Sequence, residues 1–317
     1  MNKKADLASL FGANKSDTFL GLDLCENFNS IKASSAFVGV PCATPYKSVG
    51  AYAKNGPSSI RSAIAALNAN LDRHNFDLNG PIFPEGTLKA VDCGDLPWDD
   101  KNFEKNRLII NKKVTEIVKN NVVPMLIGGD DSIPIPMLEA MGAFGDNFTI
   151  LQIDAHIDWR DSHMDESYGL SSTMRRASEM KHIKKIIQVG ARGIGSGHSK
   201  DYQDAIDWGV KFYFAENVHS HGLDPILENV KQNSDIIICI DIDSMDPSIT
   251  PNTIGRVPGG LSYFQVFNLI KGAAKKGNIK AIDFTEIMPE LDIDGLGGLT
   301  VSRLIASTMG IIARQNK

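Results

Sequence analysis

What the 317-residue chain lacks narrows its options first. It has four cysteines, Cys25, Cys42, Cys93 and Cys239, with no CxxC pair, which argues against a secreted disulfide scaffold. Three of them lie in or beside apolar, strand-like runs, as small core residues of a reducing compartment do. Long runs of like charge are absent: 33 basic residues stand against 38 acidic ones, net −5, so neither nucleic acid nor an anionic membrane is an expected partner. The stretch MNKKADLASLFGANK carries lysines, but its apolar part is short and broken by Asp6, unlike a secretion signal. No later segment reads as the roughly 18 apolar residues of a membrane span. A cytoplasmic protein acting on a small molecule is the expectation. Nor does a Pro/Gly/Ser-rich linker or an internal repeat divide the chain.

What is there is a 42% hydrophobic chain able to bury a large core. Short β-branched runs recur at Ala36–Val40, Leu88–Cys93, Val122–Ile127, Phe148–Ile153, Lys185–Gly190, Lys211–Phe214, Asp235–Ile242 and Ile279–Phe284. Most are followed by helical periodicity: Pro57–Leu71, Asn102–Lys119, Pro134–Met141, Ser171–Lys181, Ser199–Trp208, Ser262–Lys275 and Gly298–Ala313. The alternation predicts an α/β fold, a three-layer α-β-α sandwich around a mostly parallel sheet of about eight strands. Residues 31–317 read as a single catalytic domain. Residues 1–30 read as a poorly periodic arm that wraps the domain or contacts a neighbouring subunit.

Three polar clusters each follow one of these runs. Gly129-Asp130-Asp131-Ser132 comes after MLIG, Asp154-Ala155-His156-Ile157-Asp158 after ILQI, and Asp241-Ile242-Asp243 closes IIICI and leads to Met245-Asp246-Pro247. Ligands of parallel α/β sheets bind beyond the carboxyl ends of the strands, where these clusters sit. Carboxylates crowded there repel one another unless a cation lies between them. Extended-chain alternation predicts that Asp154, His156 and Asp158 point to one side, and Asp241 with Asp243 repeats the pattern. Such a donor set exceeds the needs of one ion and suits two, with oxygen ligands favouring manganese. A lone DxD at a strand end is more often a turn or a solvated edge; the repetition on three strands argues against that reading here.

GGDDS, DAHID and DIDSMDP, in this order, resemble the three signature motifs of the arginase/agmatinase (ureohydrolase) family, usually GGDHS, DAHxD and DxDxxDP. The weaker segments DCGD from Asp92, GPSSIR from Gly56, VGARG from Val189, PGGLS from Pro258 and DFTEIMP from Asp283 fall where that family has similar ones. The resemblance thus spans nearly the whole chain after the arm. It implies an arginase-like fold and agmatinase-like chemistry, hydrolysis of the C–N bond of a small guanidino compound to urea and an amine. Agmatine, guanidinobutyrate, guanidine and substituted guanidines all fit that description. It also implies two divalent metal ions, manganese or else nickel, bridged by Asp154 and Asp241. Asp131 and Asp158 would complete one ion, His156 and Asp243 the other. Asp158 would relay the proton of the attacking water to the leaving amine, and Glu286, matching the family's guanidinium-binding glutamate, would pair with the substrate cation. Members of the family form trimers or hexamers, so a homo-oligomer is expected.

The chain departs from the family pattern in places. Asp131 stands where the family has a metal-ligating histidine, exchanging a neutral nitrogen for an anionic oxygen. Leu170 stands where the agmatinase segment has a histidine that shuttles protons or contacts substrate, which leaves His163 as the nearby candidate. Pro251–Val257 replaces a Gly- and Pro-rich loop that walls the pocket. Trp159, directly after DAHID, is a candidate to stack on a guanidinium, with packing as its other reading. His74, His182, His198, His219 and His221 show no partner spacing and read as surface residues. Asp131 and Leu170 also motivate a second function, a non-catalytic or weakly active subunit of a hetero-oligomeric ureohydrolase.

Overall fold

The computed structural model describes residues 7–14, 16–195 and 197–315. Among the described residues eight strands form one sheet: β1 (Ser35–Gly39), β2 (Val91–Asp95), β3 (Val123–Ile127), β4 (Phe148–Ile153), β5 (Ile183–Val189), β6 (Lys211–Tyr213), β7 (Asp235–Asp241) and β8 (Asn278–Thr285). Their order is β2-β1-β3-β8-β7-β4-β5-β6, and every ladder is parallel. The sheet expected to be mostly parallel is parallel throughout. Helices α1 (Leu7–Phe11), α2 (Gly56–Ile64), α3 (Phe103–Val118), α4 (Pro134–Met141), α5 (Thr173–Glu179), α6 (Ser199–Trp208), α7 (Ala215–His221), α8 (Asp224–Glu228), α9 (Tyr263–Lys276) and α10 (Leu296–Gln315) cover it.

Burial on both faces explains why these strands are continuous apolar runs. Successive β7 residues alternate between two cores: Ile236, Ile238 and Ile240 join α9 and α10, while Ile237 and Cys239 join α3, α4 and α5. The three expected layers are therefore present. Cap chemistry fixes the helix starts. Ser262 accepts from the Gln265 N–H at 3.3 Å and Gln265 accepts from the Ser262 N–H at 2.8 Å, which begins α9, and Asn102 accepts from Lys105 N at 2.9 Å to begin α3.

Some boundaries differ from expectation. The strand expected at Leu88–Cys93 runs instead over Val91–Asp95, because Thr87 is held in a turn by its N–H and hydroxyl bonds to Pro84 O. α1, α7 and α8 were not expected; each is short enough to carry little periodicity. α10 also corrects the membrane reading, since by length and composition (mean hydropathy 1.4) it is apolar enough to cross a bilayer. It is a core helix: 78% of its apolar window is buried within the protein. The arm is not free either. Phe19 and Leu20 are buried in the main core, and Leu24 bridges to Asp92, covering the edge strand β2.

One alignment positions the site. Ile127, Phe284, Ile240 and Ile153 pair in a single row across the adjacent strands β3, β8, β7 and β4, all fully buried. The residues that come next on each strand, beyond this apolar floor, are those with the polar motifs.

Candidate metal centre

The same local device recurs at three of these strand ends. Asp130 accepts from the Ser132 N–H at 3.1 Å, Asp154 from the His156 N–H at 2.7 Å, and Asp241 from the Asp243 N–H at 2.8 Å. Each aspartate thereby turns the chain two residues later. The expected extended alternation is accordingly corrected: β4 stops at Ile153, Ile242–Ser244 is a 3-10 turn, and Asp158 has φ 43°. The turns still converge the side chains.

Ligand atoms of Asp154, His156, Asp241 and Asp243 all lie within 4.8 Å of one another, and so do those of Asp131, Asp154 and Asp158. Asp154 belongs to both sets, while Asp241 falls in the first. Every carboxylate among them is buried. His156 Nδ1 lies 3.1 Å from Asp243 Oδ2 and 3.5 Å from Asp154 Oδ1. The Ala155 N–H donates to Asp243 Oδ1 at 3.2 Å, tying the β4 turn to the β7 turn.

The electrostatics of the cluster call for a cation. Burial, then repulsion from Asp154 and from further acids, pushes Asp131 and Asp158 well above the usual carboxylate range. Asp241 is raised by burial and by Asp243. Asp154 runs the other way, because hydrogen bonds to His156 and Asp158 outweigh its burial. For His156, burial disfavours the charged ring, but the bonds to Asp154 and Asp243 prevail and push it up to about 12. Asp131 Oδ1 accepts from the Thr285 hydroxyl at 2.9 Å, whereas its Oδ2 is buried with no hydrogen-bond partner. An orphaned carboxylate oxygen among repelling carboxylates fits a divalent cation, and an oxygen-rich set with one imidazole suits a hard or borderline ion. Asp130 is different. It accepts from Thr44 N at 2.5 Å and from Ser132 N and Oγ, so its role is structural.

Glu286 directly follows β8, between the β3 and β7 motifs, with φ 65°. Its own N–H donates to Gly129 O and its Oε1 accepts from the Asp131 N–H, both at 2.9 Å. Burial and Asp130 raise its carboxyl to about 8, against the hydrogen bond from Tyr52. Asp158 and Glu286 are thus both held in the left-handed region, a strained conformation that clusters at working sites.

Several side chains that organise the centre were given no role from the sequence, although Arg192 lies within VGARG. Gln152 Nε2 donates to Asp154 Oδ2 and Asp158 Oδ2, each at 2.8 Å, and Gln188 in turn holds the Gln152 amide. Arg192 donates to the carbonyls of Gly190, Asp243, Ser244, Met245, Val257 and Pro258, stitching the β5, β7 and 251–257 loops together. Gly255 lies so close that a Cβ there would sit 2.5 Å from Asp243 Oδ2 and 3.0 Å from His156 Cε1. The departing segment Pro251–Val257 therefore lies directly over the centre.

A cavity of about 500 Å³ opens beside His156, bounded by Ile157, Arg192, Tyr202, Phe214 and Glu216. A larger cavity, about 970 Å³, lies elsewhere, between α1, residues 70–82 and α10. Its walls are mainly apolar and it holds none of the clustered acids, so it is not the chemical site.

Two sequence readings change, those of Trp159 and His182, and His163 gains partners. Trp159 is 1% exposed, packs edge-on against Trp208 within the core, and offers no face for stacking on a substrate. His163 bonds Arg160 through Nδ1 and meets Tyr46 edge-on, and burial with Arg160 lowers its pKa. His182, read as a surface residue, is half-buried, bonding Leu138 O and packing on Phe148. His74, His198, His219 and His221 are exposed as read.

The family model described as the Arginase family matches residues 33–310. The chain belongs to the arginase family. Like other members it is a metal-dependent amidinohydrolase of the arginase/agmatinase type. It is similar to an agmatinase of Blochmanniella floridana, 29% identical over 81% of this chain and 79% of the relative. It is also similar to a guanidinobutyrase of Pseudomonas aeruginosa, 25% identical over 88% of each. Among solved structures, proclavaminate amidino hydrolase from Streptomyces clavuligerus superposes with a TM-score of 0.84 at 24% identity, covering 96% of this chain and 99% of that one. This is the arginase-like fold expected from the motifs.

Proposed function

We propose that the chain hydrolyses a small guanidino compound, agmatine-like or guanidinobutyrate-like, to urea and an amine. The observation that carries this reading is the pair of donor sets sharing Asp154. Asp131 and Asp158 would hold one ion, His156 and Asp243 the other, with Asp154 and Asp241 between them; manganese is favoured by the oxygen-rich set, nickel second. Bound there, the ions supply the Lewis acidity that makes water a nucleophile at neutral pH.

The rest is done by the chain. Asp158, fixed by Gln152, takes a proton from the attacking water and returns it to the leaving amine. Glu286, buried and anchored to the Asp131 N–H, pairs with the planar cation and orients its carbon. The cavity beside His156 leaves room for the rest of the substrate. Asp131 lies in the cluster with Asp154 and Asp158 and keeps a buried oxygen without a hydrogen-bond partner, which supports a working site over a non-catalytic subunit.

Residues 31–317 act as one catalytic unit, with 1–30 as an arm, in a homotrimer or homohexamer in the cytoplasm. The test is urea release over a panel of guanidino compounds with manganese and nickel supplied separately. Urea from at least one compound is expected, and none with either metal overturns the proposal. Asp154→Ala and Asp243→Ala serve as controls and should abolish turnover.

A further inference from the structure

Glu286 has one side-chain partner whose position conflicts with its role. The Tyr52 hydroxyl lies 2.8 Å from Glu286 Oε1 and 2.7 Å from Oε2, head-on to the carboxylate and midway between its oxygens. That is the place where a planar cation sets its two parallel N–H donors in a bidentate pair. Oε1 already accepts from the Asp131 N–H, so few lone pairs remain. Glu286 is 4% exposed, while Tyr52 is half-buried.

Tyr52 belongs to the irregular segment joining β1 to α2, two residues beyond Gly50, which has φ 61° and open space around it. Burial and the neighbouring Glu286 raise the phenol far above its ordinary range, so it is a neutral O–H donor rather than a competing anion.

We propose that Tyr52 is a specificity-determining residue: its hydroxyl fills the end face of Glu286, and a substrate's planar cation binds by displacing it. The inference rests on the assignment of Glu286 as the cation's partner. A hydroxyl bonded to a carboxylate favours the unliganded site, so every guanidinium must replace that bond before it makes its own. A simple ammonium, whose N–H donors diverge from one nitrogen, cannot make the parallel pair that replaces both contacts and is disfavoured, whereas a planar cation with parallel donors can.

The full-length, manganese-loaded protein is titrated with guanidinium chloride by calorimetry, as wild type, Tyr52→Phe, Tyr52→Leu, Glu286→Gln and the Tyr52→Phe/Glu286→Gln double variant. Removing the hydroxyl should tighten guanidinium binding about tenfold, close to 1.4 kcal/mol, at unchanged metal content. The gain should vanish in the double variant. Tyr52→Leu gives the same readout if Tyr52→Phe does not fold. If Glu286→Gln abolishes binding but neither Tyr52 variant tightens it, this proposal fails and the guanidino assignment of Glu286 stands. If Glu286→Gln binds guanidinium like wild type, or none of the proteins binds it, the assignment itself fails and the proposal with it.

Discussion

Gln152 Nε2 sits 2.8 Å from Asp158 Oδ2 and, through the same amide, 2.8 Å from Asp154 Oδ2. One neutral donor thereby orients two acids that would otherwise repel, and its own orientation is set by Gln188. Partners that fix metal ligands typically account for about 10–100-fold in metal affinity. Gln152→Leu should lower manganese affinity by about that factor without unfolding the protein, as read by metal titration alongside a thermal melt. Wild-type affinity in a folded variant would remove Gln152 from the centre.

Gly255 offers a steric test. An added methyl would land 2.5 Å from Asp243 Oδ2, so Gly255→Ala must displace either the covering loop or the carboxylate. Turnover should fall by an order of magnitude or more while the melting temperature changes little, since the loop carries little of the core. An active Gly255→Ala enzyme would mean that the loop does not lie over the working centre.

Trp159 separates packing from recognition. Deleting a buried aromatic typically destabilises by about 3–5 kcal/mol, so Trp159→Ala should lose stability on that scale in denaturant unfolding. Trp159→Phe should leave KM unchanged, and because the indole N–H has no partner no polar group is orphaned by the change. A raised KM at unaltered stability would restore the stacking role.

Asp246 gives a pH signature. Its carboxylate accepts from Ser248 N and Oγ and from the N–H groups of Gly259 and Gly260. The Ser248 hydroxyl bond leads, with the backbone N–H bonds, in pulling its pKa from 3.8 to about 2, against the opposing effect of burial. A folded-state pKa below the unfolded one means stabilisation that is complete above the unfolded value and lost as pH falls through the folded one. Asp246→Asn should therefore be less stable than wild type at pH 7, with the gap narrowing between pH 4 and pH 2. A gap that stays constant over that range would show that the anion is not what holds the loop.

Much of this was legible from the chain. All eight strands were marked by runs such as IIICI and MLIG, because a sheet buried on both faces demands unbroken apolar sequence. The clustered acids were legible because their spacing is local to each strand end. The order of the strands then brings Asp131, Glu286, Asp243 and Asp154 onto neighbouring strands, which no local pattern could state. Tyr52, Gln152, Arg192 and Thr285 were missed for that reason: their partners lie far away in sequence or depend on a turn. Trp159 was a stacking candidate only because it directly follows DAHID; of its two readings the structure bears out packing, with the side chain in the core against Trp208.

The central claim, a two-ion centre with Asp154 in both donor sets, is tested most directly by metal analysis of the purified chain after loading with manganese or nickel and removal of excess. Close to two ions per wild-type chain are expected, with a marked loss in Asp154→Ala. Well under one ion per chain with either metal, or a full complement in Asp154→Ala, would contradict it.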